Sequence, residues 1–396
     1  MSQLLIAVIL SLLLGIQPVT TDLYLPALPA LTEGFGASMS QAQLTLTALL
    51  LAFGISQLIW GPLSDRFGRR PILLIGLSAY VLASIGSSNA ATMDMLIIWR
   101  TIQGVSMGAG VMCARAIVRD LYSPLDGARV MSQALTGLGM IACLCAPLGG
   151  ILSDTYSWRV ALLALAVFSS VSLGLILWKF QETLPKEHRN PLSPSSLIDT
   201  STIILRNPTF LTYTALSSAS YGGLFTFLAS SSFIFIQVIG ISKTEYGFVM
   251  FYMTFIYVLG TITCRRFLIR FGVQKSVGIA GLLTLIGGSS MGIFALLDWH
   301  SVLSLMGPFS LFIFAHGIHL PCSQAGAVSP FPKAAGTASA LNGFAMMITA
   351  FGIGLFLGSY MNGSVYPLAL GVWFWSVLIS LTAWTFVKSY GKVHAT

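Results

Sequence analysis

The chain is short of charge. Lys, Arg, Asp and Glu together make up 8% of its 396 residues, against about a quarter in an ordinary soluble protein. Acids are the scarcest, with 12 Asp and Glu beside 20 Lys and Arg. With 55% hydrophobic residues and a mean hydropathy of +0.85, too little polar surface remains to wet a soluble fold, which excludes one. Other absences narrow the chemistry. No Walker lysine motif occurs, and "GVSMGAG", residues 104–110, reads as helix-packing glycine, so ATP is not the energy source. No Ser-His-Asp or HExxH constellation is present, and the reading is of a protein that is not an enzyme and takes no cofactor or metal. An intramembrane enzyme built on His316 and His319 would leave Asp22 and Arg100 without a role. The five cysteines show neither metal-ligand spacing nor a disulfide framework and read as small packing residues.

What the chain does have is long apolar runs. A helix needs about 20 such residues to cross the hydrocarbon. Twelve stretches qualify, centred near residues 13, 52, 80, 104, 141, 168, 220, 255, 286, 312, 346 and 376. The first, "LLIAVILSLLLGIQPV", lacks the basic flank and cleavage site of a signal peptide and reads as a retained span. Of the 20 Lys and Arg, only Arg159 and Lys243 fall in one set of alternate loops, and Arg100 lies inside a span. The rest fall in the other set of loops and the tail, which places both termini in the cytoplasm. The net charge of +8 is explained by that asymmetry rather than by nucleic acid.

The hydrophilic stretch "KFQETLPKEHRNPLSPSSLIDT", residues 179–200, falls at the midpoint. It divides the chain into an N-terminal six-helix bundle (1–180), a cytoplasmic linker (181–206) and a C-terminal six-helix bundle (207–396). The halves echo one another. "RFG" at Arg66–Gly68 recurs at Arg270–Gly272, and the same offset carries Arg129 onto Lys333. The expectation is an all-α membrane protein, twelve spans in two parallel repeats around a central cavity.

The scarce charges mark the candidate sites. "GPLSDRFGRRP", residues 61–71, places Asp65, Arg66, Arg69 and Arg70 in one short turn, with Gly61, Pro62 and Gly68 permitting a sharp reversal. Asp65 is suited to charge-assisted hydrogen bonds, and Arg69 to pairing with Asp120. Asp22, in "QPVTTDLYLP", is an acid within the membrane domain, costly unless neutral, paired or facing a cavity. The alternative is a residue at the outer interface that caps a helix before Pro26. Arg100 stays charged and needs a partner: Asp22, a backbone carbonyl, Gln103 or water. The alternative is a helix-end arginine, because Asp94 opens span 4. His316 and His319 share a helix face and titrate in the right range to relay protons, but a polar helix–helix contact explains them equally. Gln57, Gln103, Asn342 and the aromatic residues Tyr213, Tyr221, Phe225 and Phe227 suit a lipophilic cavity, and the aromatics suit lipid-facing positions as well.

Several of these stretches resemble a known family. "GPLSDRFGRRP" matches motif A of the major facilitator superfamily at all its characteristic positions. "RTIQG", from Arg100, resembles the span-4 motif of proton-coupled members. "TDLYLPALP" (21–29), "RDLY" (119–122), "ETLP" (182–185) and "FPKAAGTASAL" (331–341) resemble the Bcr/CflA-like drug-efflux branch. The resemblance implies that Asp22 is the span-1 acid, with Leu14 where some relatives carry a second. It implies that Arg100 modulates a cavity acid. It implies that Gly61, Asp65, Gly68, Arg69 and Asp120 form a latch that opens and closes as access alternates. "GLGMIACLCAPLGG" (137–150) resembles the span-5 antiporter motif, with Pro147 and Gly150 in place and Ala142 and Ala146 standing for glycine. The implied function is proton-coupled export of small lipophilic or drug-like compounds by a monomer in a bacterial-type inner membrane. The alternative is a carrier for one physiological solute.

Overall fold

The computed structural model describes residues 2–185, 187, 194–361 and 363–391. Lys186, residues 188–193 and Lys392, all counted above, lie outside the described residues, as does the middle of the expected linker. All regular structure among the described residues is helical: α1 (Gln3–Thr21), α2 (Leu28–Phe35), α3 (Met39–Phe67), α4 (Arg69–Ser88), α5 (Met93–Leu121), α6 (Pro124–Thr155), α7 (Trp158–Lys179), α8 (Pro194–Leu205), α9 (Pro208–Phe233), α10 (Lys243–Leu296), α11 (Val302–Val328), α12 (Ala335–Tyr360), α13 (Tyr366–Leu381) and α14 (Val387–Tyr390). Helices are what a lipid solvent demands, since each satisfies its own backbone groups. Their starts are written in the sequence. Ser38 and Gln41 exchange hydrogen bonds in a capping box at α3, and Asn207 followed by Pro208 opens α9.

Among the described residues, eleven helical segments are long and apolar enough to cross a membrane. One of them, α10, has 54 residues, about 80 Å at 1.5 Å per residue, well over twice the hydrocarbon thickness. It reverses at Gly272, whose φ of 71° and ψ of 177° are not helical. It is therefore two spans, and the twelve expected from the sequence are present. The first span differs from expectation. It runs from Gln3 to Phe35, through a 3₁₀ turn at Leu25–Ala27 where Pro26 withholds its N–H. Asp22 thus caps the end of α1, at a break within the longer Gln3–Phe35 segment rather than at that segment's end. Within the expected linker, residues 194–205 form α8. The Pro and Ser content masks a stripe at Leu197, Ser201 and Ile204, the last fully buried where α8 packs on α12 and α9.

The chain forms two compact units, one of residues 1–193 with 242–251, the other of 194–241 with 252–396. In the first, α3 and α4 pack on α5, α7 on α4, and α6 on α1. In the second, α11, α12 and α13 gather around α9. Small residues let the backbones approach, as membrane helices require: Gly104 of α5 lies on the Leu49 carbonyl of α3, with no room for a Cβ.

The two "RFG" triplets fold alike. Gly68 has φ 100° and ψ 164°, close to the values at Gly272. The Arg66 guanidinium lies 5.4 Å from the Phe67 ring centre, and that of Arg270 lies 5.2 Å from Phe271. A three-residue echo in the sequence is matched by the same reversal in each half.

Candidate functional site

Arg100 is fully buried on α5. The first span breaks beyond Thr21, which leaves carbonyls of the last α1 turn without helical partners. Arg100 Nη2 donates to the Thr20 carbonyl at 2.9 Å, Nη1 donates to Gln103 Oε1 at 2.9 Å, and the guanidinium stacks 4.2 Å from the Tyr24 ring centre. The negative end of the α1 dipole suits a cation there. Gln103 is held in turn by donating to Ser84 at 2.8 Å, and Thr20 bonds Tyr80 through their hydroxyls at 2.5 Å. Of the partners considered for Arg100, the structure supplies the carbonyl and Gln103. Asp22 is not among them.

Asp22 caps the C-terminus of α1, its N–H donating to the Pro18 carbonyl at 2.8 Å. Its carboxylate accepts from the neighbouring Thr21 hydroxyl at 2.8 Å. Among the described residues no Lys, Arg or His side chain comes within 4 Å of it. A half-buried acid without a counter-cation stands two residues from the carbonyl that Arg100 holds.

The second cluster surrounds Arg69, which is 1% exposed. Nη1 reaches Asp65 Oδ1 at 2.7 Å and Ser64 Oγ at 2.8 Å, while Nε and Nη2 grip both Asp120 oxygens at 2.8 and 3.2 Å. This two-pronged pairing uses the planar geometry that only arginine offers. Arg119 adds a contact to Asp65 at 3.3 Å. Gly68 supplies the turn, and Gly61 lies near Met112 of α5. Sequence reasoning missed one member. Glu182, beyond α7, accepts from the N–H groups of Arg69 and Arg70 at 2.8 and 3.1 Å and caps α4, which has no capping side chain at Gly68. It also accepts from the N–H groups of Thr183 and Leu184, and Thr183 donates to Asp120 at 3.2 Å. The signal was present in "ETLP", an acid outside any span.

In α6, Pro147 and Gly150 face the start of α10 within the first unit. Gly150 lies on the Lys243 carbonyl with no room for a Cβ, and Gly247 lies as closely on Ala146 and Pro147. Gly149, which the motif reading passed over, lies equally close to the Leu23 carbonyl. Asp154 at the end of α6 accepts from the Thr244 N–H at 2.7 Å.

In the second unit the aromatic residues of α9 are buried, so they are not lipid-facing: Tyr213, Phe225 and Phe227 are at most 2% exposed and Tyr221 is 9% exposed. Tyr221 and Phe225 stack at 6.4 Å. Asn342 accepts from Ser217 at 2.8 Å, and Gln57, in the first unit, is buried on α3. His316 and His319 do not bond each other. His316 Nδ1 meets the Ser220 hydroxyl at 2.7 Å, and His319 Nε2 meets the Thr284 hydroxyl at 3.2 Å. No group of three metal-ligating side chains occurs among the described residues. The cysteines are free, although Cys264 and Cys322 touch at 3.7 Å.

Comparison with known proteins gives this arrangement its relatives. The chain is 27% identical over 387 residues to the bicyclomycin resistance protein homolog of Haemophilus influenzae, covering 96% of this chain and 95% of that protein. It is 30% identical over 340 residues to multidrug resistance protein D of Escherichia coli, covering 84% and 83%. The crystal structure of a D-xylose–proton symporter superposes with a TM-score of 0.77 at 16% identity, over 98% of this chain and 99% of that one, a likeness of fold. These relatives agree with the Bcr/CflA-like branch read from the motifs. Residues 10–354 match the Major Facilitator Superfamily model, and the chain is a member of that superfamily.

Proposed function

We propose that the protein is a monomeric secondary transporter of the bacterial inner membrane that exports small lipophilic or drug-like compounds in exchange for protons. The observation that carries the reading is the uncompensated Asp22 beside the helix break held by Arg100. An acid inside a span that no cation neutralises needs its charge balanced from outside the protein, by a proton or by a substrate. Those two then compete, and that competition is antiport. Arg100 carries the permanent positive charge that keeps the break open. The Asp65–Arg69–Asp120 cluster is the latch, because three charged groups in one contact are strong when dry and weak when wet. With two six-span repeats, 1–180 and 207–396, the candidate substrate-contacting residues are Asp22, Gln57 and Gln103 in the first and Tyr221, Phe225 and Asn342 in the second. The buried His316 and His319 are the reserve for proton transfer. The names of the two relatives supply the substrate class.

The test is uptake of labelled bicyclomycin and a panel of lipophilic drugs into inverted vesicles with an acid lumen. Uptake should appear with the gradient, collapse with a protonophore, and vanish in Asp22→Asn while drug binding survives. Full gradient-driven uptake by Asp22→Asn would remove Asp22 from the mechanism. Wild type that moves none of the panel would point instead to a carrier of one physiological solute.

A further inference from the structure

The two halves carry the same "RFG" reversal but neutralise its charge differently. Around Gly68, Arg69 is held by Asp65 and Asp120, Arg119 by Asp65, and Arg70 donates to the Leu177 carbonyl. Around Gly272 stand Arg265, Arg266, Arg270 and Lys275, all exposed. Among the described residues no carboxylate comes within 4 Å of any of them. The second repeat carries its cations at other positions and without the acids: the offset that carries Arg66 onto Arg270 carries Asp65 onto Ile269, Asp120 onto Gln324, and Arg69 and Arg70 onto Val273 and Gln274.

The geometry of the bare cations is specific. Ile262, Arg265, Arg266, Ile269 and Arg270 follow the three-and-four spacing of one helix face on the first limb of α10. Ile262 is 50% exposed and Ile269 is 89% exposed, the most exposed large hydrophobic residue described in the chain. An apolar residue so open to water is unfavourable, whereas among acyl chains it is at home. A stripe with apolar residues and guanidinium groups side by side, at the end of a membrane span, matches a lipid that carries acyl chain and negative headgroup together. Orientation by positive charge alone calls for the cations but not for Ile269 among them. A soluble anion would satisfy the cations and leave the isoleucines exposed.

We infer that the α10 face of Ile262, Arg265, Arg266, Ile269 and Arg270, with Lys275 beyond the turn, binds the headgroup of an anionic phospholipid. Guanidinium pairs grip phosphate oxygens two at a time, so the phosphodiester sits between Arg266 and Arg270 while an acyl chain lies along Ile262 and Ile269.

Native mass spectrometry of the full-length protein in neutral detergent, titrated with phosphatidylglycerol and with phosphatidylcholine, tests this. Phosphatidylglycerol should be retained and phosphatidylcholine not. The triple variant Arg265→Gln, Arg266→Gln, Arg270→Gln should bind phosphatidylglycerol more weakly by on the order of a hundredfold, from about fivefold per cation near a membrane. Lysine at the same three positions should restore most of the affinity, and Arg129→Gln, at an exposed arginine near Asp126, should leave it unchanged. Should the triple variant fail to fold, Arg266→Gln and Arg270→Gln singly should each weaken binding severalfold. Equal retention of the two lipids, or undiminished binding by the glutamine variants, overturns the inference. So does full displacement by millimolar inorganic phosphate, since the occupant would then be a soluble anion.

Discussion

Arg100 has two partners that no smaller cation serves at once. Its guanidinium sits over the Tyr24 ring while one nitrogen reaches the Thr20 carbonyl and another reaches Gln103. A lysine ammonium is a point on a flexible stem and reaches one of them. Arg100→Lys is therefore expected to insert and fold, with a thermal midpoint lower by several degrees for the loss of about 1–3 kcal/mol of charge-assisted bonding. Its proton-driven drug uptake should fall more than tenfold. Arg100→Leu, which leaves Thr20 and Gln103 unpaired in the same place, should be less stable than the lysine variant. A lysine variant with wild-type uptake would show that charge alone suffices. The counterpart, Asp22→Asn, is expected to lose gradient-driven uptake but to unfold at the wild-type temperature within a degree or two, since Asp22 makes no ion pair to lose. Both residues were legible in the sequence because charge is so scarce there. Gln103 and a backbone carbonyl were both among the partners the sequence offered for Arg100, but that the carbonyl is Thr20's was not legible, because a carbonyl freed by a helix break has no letter of its own.

The charge cluster around α4 is a matter of elements rather than of single residues. Arg69 joins α3, α4 and α5, and Glu182 returns from beyond α7 to satisfy the first N–H groups of α4. Removing Arg69 leaves Asp120, 8% exposed, without its cation. Arg69→Ala should lower the stability of the protein by about 3–5 kcal/mol, read as a shift in thermal unfolding in detergent. Replacing both partners, as Arg69→Leu with Asp120→Leu, should recover much of that loss. If the double variant is also slow in transport, the cluster acts in the cycle and not only in the fold. Glu182→Ala should lower stability by a smaller amount, about 1–2 kcal/mol, the range for a lost helix cap. The motif spelled out Asp65 and Arg69, and the position of Asp120 at the end of span 4 spelled out the third member. Glu182 stayed hidden, because its bonds go to backbone N–H groups more than a hundred residues away and backbone groups are the same in every sequence. The helix α8 was hidden for the opposite reason, a turn-rich composition laid over a helical stripe.

At the scale of the molecule, the twelve spans and the repeat were readable from hydropathy, charge and one recurring triplet, because the bilayer fixes the length of each helix. The exception was the first span, which continues through Pro26 to Phe35 where the apolar run alone suggested an earlier end. Orientation follows from the same charges. The reversal at Gly68 and the stretch around Ser123 carry Arg66, Arg69, Arg70, Arg119 and Arg129, whereas the turn at Ser157, between α6 and α7, carries Arg159 alone. Arg159 is moreover engaged with the Ser88 and Ala90 carbonyls at 2.9 and 3.0 Å. Moving several arginines across the hydrocarbon is far less favourable than moving one, so the orientation we propose puts the Ser123 side in the cytoplasm. A membrane-impermeant thiol reagent reads this directly, because four of the five native cysteines are buried and the fifth is half-buried. Ser157→Cys should label in intact cells. Ser123→Cys should label only in inverted vesicles, with wild type as the blank for both. The reverse pattern would place motif A outside the cell and turn the expected direction of proton exchange around with it. Transport in inverted vesicles driven by an acid lumen would then have to be read as import.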